Sequence, residues 1–126
     1  MPALPWVTRA PIEPVRTYTV MSSKLPLKRA RSIPGFLRDT RAIRRQLADA
    51  EGLIGYTLDA ELTHRTFWTF SVWTDQPSLD AFAAAEPHCS IIRRLGPLMA
   101  PTRFSTTTMI GLDIPATWDE RKAAVR

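Results

Sequence analysis

Residues 66–73 read Thr-Phe-Trp-Thr-Phe-Ser-Val-Trp, and this stretch decides the fold. Its β-branched and aromatic residues make it the strongest strand signal in the chain. A strand turns successive side chains to opposite faces. Phe67 and Trp73 therefore fall on one face, and Trp68, Phe70 and Val72 on the other. A sheet that is apolar on both faces needs both covered. Just upstream, Leu53 to Leu62 is a second strand pattern, separated only by Thr63, His64 and Arg65, so the two are expected to pair as a hairpin.

Working outward, Arg16 to Ser23 is a third strand pattern and Arg103 to Ile110 a fourth. A helix is expected from Ile33 to Ala50, with Ser32 as N-cap, Pro34 in its first turn and Gly52 as the stop beyond its end. A second helix opens at Asp75 or Ser78, is interrupted or restarted at Pro87, and ends near Leu95, before Gly96-Pro97. The order β-α-β-β-α-β predicts an α+β, ferredoxin-like fold, with a four-stranded antiparallel sheet and both helices on one face. The second face is then expected to meet the same face of another copy, in a symmetric homodimer with sheet packed on sheet. Residues 1–15, with four prolines, read as an extended arm, residues 16–112 as the domain, and residues 113–126 as a tail or short terminal helix.

With Leu62 opposite Phe67, one face carries Ile54, Tyr56, Leu58, Ala60, Leu62, Phe67, Thr69, Ser71 and Trp73, and is expected under the helices. The other carries Gly55, Thr57, Asp59, Glu61, Trp68, Phe70 and Val72, with Asp59 and Glu61 near a rim. A slip of one residue would exchange these roles. Rotating the first helix at about 100° per residue gives an apolar stripe of Ile33, Phe36, Leu37, Thr40, Ile43 and Leu47, with Arg44 near its centre. Such an arginine either snorkels to water or pairs with a carboxylate, or it faces a cavity and meets an anionic ligand. In the second helix His88 leads a stripe with Ile91, Ile92 and Leu95. It is either a satisfied core residue or a general acid or base. Arg44, His88, Tyr56, Trp73, Thr69 and Ser71 can thus converge on one space between sheet and helices, mostly apolar with a few polar groups, as small-molecule sites usually are. Cys89 reads as a filler and His64 as an exposed turn residue.

Composition narrows the function classes. The 126-residue chain has one cysteine, so neither an internal disulfide nor a Cys-rich zinc site can form. The two histidines lie far apart in sequence, with no carboxylate at ligand spacing, and a metal centre is unsupported. No Gly-rich phosphate loop, H-E-x-x-H or G-x-S-x-G occurs. The net charge is +5, and only Lys24, Lys28 and Lys122 of the 17 basic residues are lysines, which suggests a GC-rich bacterial genome. The basic residues from Lys28 to Arg45 read as a solvated helix face, so no nucleic-acid partner is expected. No apolar run is long enough to span a bilayer, and the N-terminus lacks a signal-peptide layout, so no membrane partner and a cytoplasmic location are expected.

Three local patterns carry a family resemblance: Gly52-Leu-Ile-Gly-Tyr56 entering the second strand, Thr66 to Trp73, and Asp75-Gln-Pro-Ser-Leu-Asp-Ala-Phe82 followed by Glu86-Pro-His88. Through them residues 16–112 resemble the dimeric α+β barrel superfamily, and within it the antibiotic-biosynthesis-monooxygenase-like proteins. The resemblance implies a homodimer, with cofactor-independent oxygenation of an aromatic or polyketide-like phenol as the leading activity. His88 would take the phenolic proton and Arg44 would stabilise the anion. Trp73, Tyr56, Thr69 and Ser71 would line the substrate site, with no cofactor. The chain has no asparagine, so the Asn-containing sets of the haem-degrading and quinone-forming branches cannot be carried over whole. The alternatives are a haem-binding protein with His88 as axial ligand, and a non-enzymatic binding or regulatory dimer.

Overall fold

The computed structural model describes residues 4–126, so the first three residues of the arm lie outside it. In chain order the elements are β1 (Val7–Thr8), β2 (Thr17–Pro26), α1 (Ile33–Ala48), β3 (Leu53–Glu61), β4 (Thr66–Trp73), α2 (Gln76–Ala84), α3 (His88–Leu95), β5 (Arg103–Ile110) and α4 (Trp118–Ala123). The strands form one antiparallel sheet in the order β1-β3-β4-β2-β5. Strands β2 to β5 reproduce the ferredoxin-like arrangement, and the arm adds β1 beside β3.

The β3–β4 hairpin pairs Ala60 with Phe67 and Glu61 with Thr66. Leu62 is taken into a tight 3-10 turn that ends on Arg65 at φ 52°. The register therefore differs by two residues from the expected one, and the faces survive because the side-chain period is two. Phe67, Thr69, Ser71 and Trp73 lie under α1, α2 and α3, in clusters with Phe36, Leu47, Leu79 and Ile91. Ile54 is the exception. The register shifts between Leu53 and Gly55, and this bulge sends Ile54 to the opposite face, against Tyr18, Val20, Phe70 and Val72.

Helix α1 is rotated from the expected position. Phe36, Asp39 and Leu47 are its buried residues, while Leu37 is 43% exposed and Arg44 is exposed. Asp39 is only 5% exposed and is held by both terminal nitrogens of Arg94 from α3, each at 3.0 Å. The second helix is two helices broken at Pro87. Asp75 caps α2 by accepting from the backbone N–H of Ser78 at 2.9 Å. Gly52 stands at φ +80° in the turn after α1, where a Cβ would collide with Ser78.

The expected dimeric barrel is overturned. The sheet has five strands rather than four and is not closed, with β1 at one edge and β5 at the other. Its second face is covered from within the chain: Trp6, Ala10 and Ile12 of the arm and Ile114 and Trp118 of the tail pack on Tyr18, Val20, Ile54, Phe70 and Val72. Phe70 is 1% exposed in the single chain. The physical need read from the sequence, two apolar faces to be covered, is met by tethered segments.

Three devices hold this cover down. The Trp6 ring lies on Gly55, where any Cβ would sit 2.2 Å from it. The Thr57 hydroxyl donates to the Leu4 carbonyl at 2.6 Å, and the Arg9 and Ala10 amides donate to Ile54 O. From the tail, Lys122 reaches Asp59 at 2.5 Å and Glu61 at 2.9 Å, its ammonium lying over the Trp68 ring. Asp59 and Glu61 thus serve the chain's own tail. The hydrogen bond from Lys122 holds the Glu61 carboxyl below its ordinary value, against the opposing effect of burial. Burial works against the charge on Lys122, yet Asp59 and Glu61 outweigh it and raise its pKa.

Candidate functional site

The six residues singled out from the sequence fall into separate groups. On β4, Trp73 Nε1 donates to Ser71 Oγ at 2.9 Å, a bond between residues two apart on one face. Thr69 exchanges a hydrogen bond with Ser23 of β2. Both hydroxyls are thus occupied inside the sheet. Tyr56 is buried on β3 beside Leu47, Leu53, Trp73 and Leu79, and its hydroxyl accepts from Arg44 Nε at 3.2 Å. Arg44 is itself exposed. His88 opens α3. Among the described residues, no hydrogen bond or ion pair links it to Arg44.

What the structure does join is an aromatic series. The ring of Trp73 lies 5.3 Å from that of Phe82 on α2, which in turn lies 5.1 Å from the His88 ring. The half-buried His88 is fixed at two points. Its backbone N–H donates to Gln46 Oε1 at 2.9 Å, and its Nδ1 lies 3.0 Å from the Ala83 carbonyl. A carbonyl can only accept, so Nδ1 carries the proton and Nε2 keeps its lone pair in the neutral ring. Gln46 also donates to the Phe82 carbonyl at 3.2 Å, tying α1 to the end of α2 and the start of α3. The sequence reading missed Gln46, as a polar residue at the flank of a helix stripe carries no signal of its own.

Phe82 also forms part of the wall of an open groove of about 900 Å³ between α1 and the α2–α3 corner. The space between sheet and helices, where a pocket was expected, is instead packed with Tyr56, Leu47, Leu79 and Trp73. The groove wall combines apolar Ala42, Phe82 and Pro87 with Gln46, Arg45 and the carboxylates of Asp49, Glu51, Asp75 and Glu86. The hydroxyl and amide of Ser78 hold Asp75 below its ordinary value, and those of Ser90 do the same for Glu86. With four carboxylates against Arg45, the groove lining is acidic within a chain of net charge +5. No group of three or more His, Cys, Asp or Glu side chains is placed to hold a metal ion among the described residues. No helix among them is long and apolar enough to cross a membrane.

No family model matches the chain, and no curated protein matches it. Solved structures do. A candidate monooxygenase of Fusobacterium nucleatum superposes with a TM-score of 0.68 over 80% of this chain at 15% identity, and the chain spans 46% of that protein's length. A conserved protein of Methanosarcina mazei gives 0.65 over 74% of this chain and 92% of its own, at 17% identity. SnoaB, a cofactor-independent oxygenase of Streptomyces nogalater, gives 0.56 over 73% and 92%, at 16% identity. These likenesses establish a shared fold.

Proposed function

We propose that the protein binds a planar aromatic molecule in the groove between α1 and the α2–α3 corner and acts on it as a cofactor-independent, monooxygenase-like oxidoreductase. The observation that carries this reading is Phe82, which lines the groove and whose ring lies 5.1 Å from that of His88, itself just outside the lining. The fold shared with SnoaB, described as a cofactor-independent oxygenase, supports the reaction class. The acidic wall disfavours a preformed phenolate, so the substrate enters as the neutral phenol. His88 Nε2 then takes the phenolic proton. The ring carbon of the resulting anion gives two electrons to dioxygen and forms a C–O bond to a peroxide. Loss of the proton on that carbon then supplies the second pair, which makes the carbonyl and breaks the O–O bond, so that one oxygen atom stays in the quinone and the other leaves as water. Arg45, on the groove wall, is the cation placed to meet the developing charge. Arg44 anchors Tyr56 on the other flank of the helix and enters through that pair. Trp73 backs Phe82, with Ser71 and Thr69 fixing the strand beneath.

Haem fits this groove poorly, because four carboxylates would face its propionates. The homodimer belongs to this reading with its contact at the open edge of β5, where Phe104 is 62% and Ile110 40% exposed. Oxygen uptake over a panel of hydroxyquinones and related phenols tests the activity. We expect uptake that His88→Ala reduces by at least about a hundredfold. No uptake with any member, or uptake unchanged in His88→Ala, would overturn the proposal.

A further inference from the structure

Behind the arm and tail lies a second cavity, a cleft of about 330 Å³ on the face of the sheet opposite the helices. Trp6, Ile12, Phe70, Ile114 and Pro115 give it apolar walls, and Arg121 of α4 supplies its one charge. The Arg121 guanidinium sits among three rings, 4.9 Å from the centre of Phe70, 5.2 Å from Trp118 and 5.8 Å from Trp6. Its Nε donates to the Pro115 carbonyl at 3.2 Å. No carboxylate lies within ion-pair distance of it among the described residues, and the neighbouring Glu120 is turned to the Thr117 hydroxyl.

Two other cations at packed positions are held by carboxylates. Arg94 takes both oxygens of Asp39, and Lys122, one residue along, takes two carboxylates. Rings cover the faces of a guanidinium but accept none of its in-plane N–H groups, and beyond the Nε–H bond to Pro115 the terminal nitrogens of Arg121 have no protein acceptor among the described residues. Burial pulls the Arg121 pKa below its ordinary value and outweighs the opposing attraction of Glu120.

We propose that this cleft is a binding site for a small carboxylate with a flat apolar body, the carboxylate pairing side-on with the terminal nitrogens of Arg121 and the body lying between Trp6, Ile12 and Phe70. A phosphate would bring two charges and no apolar surface to a cleft with one cation and greasy walls, which selects the monocarboxylate. The site lies across the sheet from His88 and is independent of the oxygenase reading.

Titration of the full chain with phenylacetate, followed through the Arg121 Nε–H and the Trp6 and Trp118 indole N–H resonances, tests the proposal. We expect saturable shifts, binding at least about tenfold weaker for neutral phenylacetamide, and no change on His88→Ala. Arg121→Met should abolish the preference for the acid. Should that variant fail to fold, Ile12→Trp, which fills the cleft and leaves Arg121 in place, should block binding instead. Equal affinity for acid and amide, binding that survives both variants, or no shift up to about 10 mM phenylacetate would overturn the proposal.

Discussion

The two faces of the sheet carry comparable aromatic loads under very different covers. On one, α1, α2 and α3 lay regular apolar stripes over Phe67, Tyr56 and Trp73, locked by the Asp39–Arg94 pair. On the other, a proline-bearing arm and the short helix α4 lie over Tyr18, Phe70 and Val72. A helix of six residues has little stability in water by itself. Its place depends on a few side chains: Trp118, Arg121 over Phe70, and Lys122 between Asp59 and Glu61. A cover that hangs on so few contacts is the part of a fold that opens first. The helix face is thus the stable frame, and the strapped face is the one whose integrity can be removed piecemeal.

Ending the chain after Leu112 should have the largest effect. It removes Ile114, Trp118, Arg121 and Lys122 together, and we expect the melting temperature to fall by more than about 10 °C, with strong binding of a hydrophobic dye. An unchanged melting temperature would mean that the tail covers nothing. Next comes a matched pair of cavities. Phe70→Ala and Phe67→Ala should each cost about 3–5 kcal/mol by denaturant unfolding, since both rings are buried in the single chain. A Phe70→Ala cost near zero would place that ring at a solvated surface and break the comparison.

Smaller effects are expected at the Lys122 contact. Lys122→Met leaves Asp59 and Glu61 facing each other without a cation, at a cost of about 1–3 kcal/mol. The Glu61 pKa is depressed in the folded chain, so its contribution is complete above its ordinary value of 4.5 and is lost as pH falls through the lower folded value. Hydrogen exchange should therefore show α4 loosening more than α1 as the pH falls below 4.5. In Lys122→Met this difference between the helices should disappear. An equal acid response of α1 and α4 in the unmodified chain would remove the ion pair from the account.

The ferredoxin-like order of elements was legible because strand and helix periods differ so sharply along the chain. The two-sided character of Thr66 to Trp73 correctly demanded two covers. What covers the second face was not legible from that strand. The hints lay at the ends, where Trp6 and Trp118 stand in segments otherwise read as appendages. Ile54 was placed on the wrong face because alternation assumes an unbroken register, and Gly55, a glycine inside a strand, was the one sign of the bulge. Around the helices, rotation alone put Arg44 at the centre of the stripe and passed over Asp39. The structure reverses them, since a carboxylate can be buried when an arginine from another helix meets both its oxygens, and pairing between distant residues leaves no periodic trace. His88 was singled out by residue type, while Gln46, which accepts from its backbone N–H, and Phe82, whose ring lies beside it, needed the fold.

The ends of the chain cover the second face of its own sheet. This arrangement is tested most directly by isotope-filtered nuclear Overhauser spectra on an equal mixture of labelled and unlabelled chains. Contacts from the Phe70 ring to Trp6, Ile114 and Trp118 should appear only within a chain. Contacts from Phe70 of one chain to the sheet of another, with those to Trp118 absent, would contradict it.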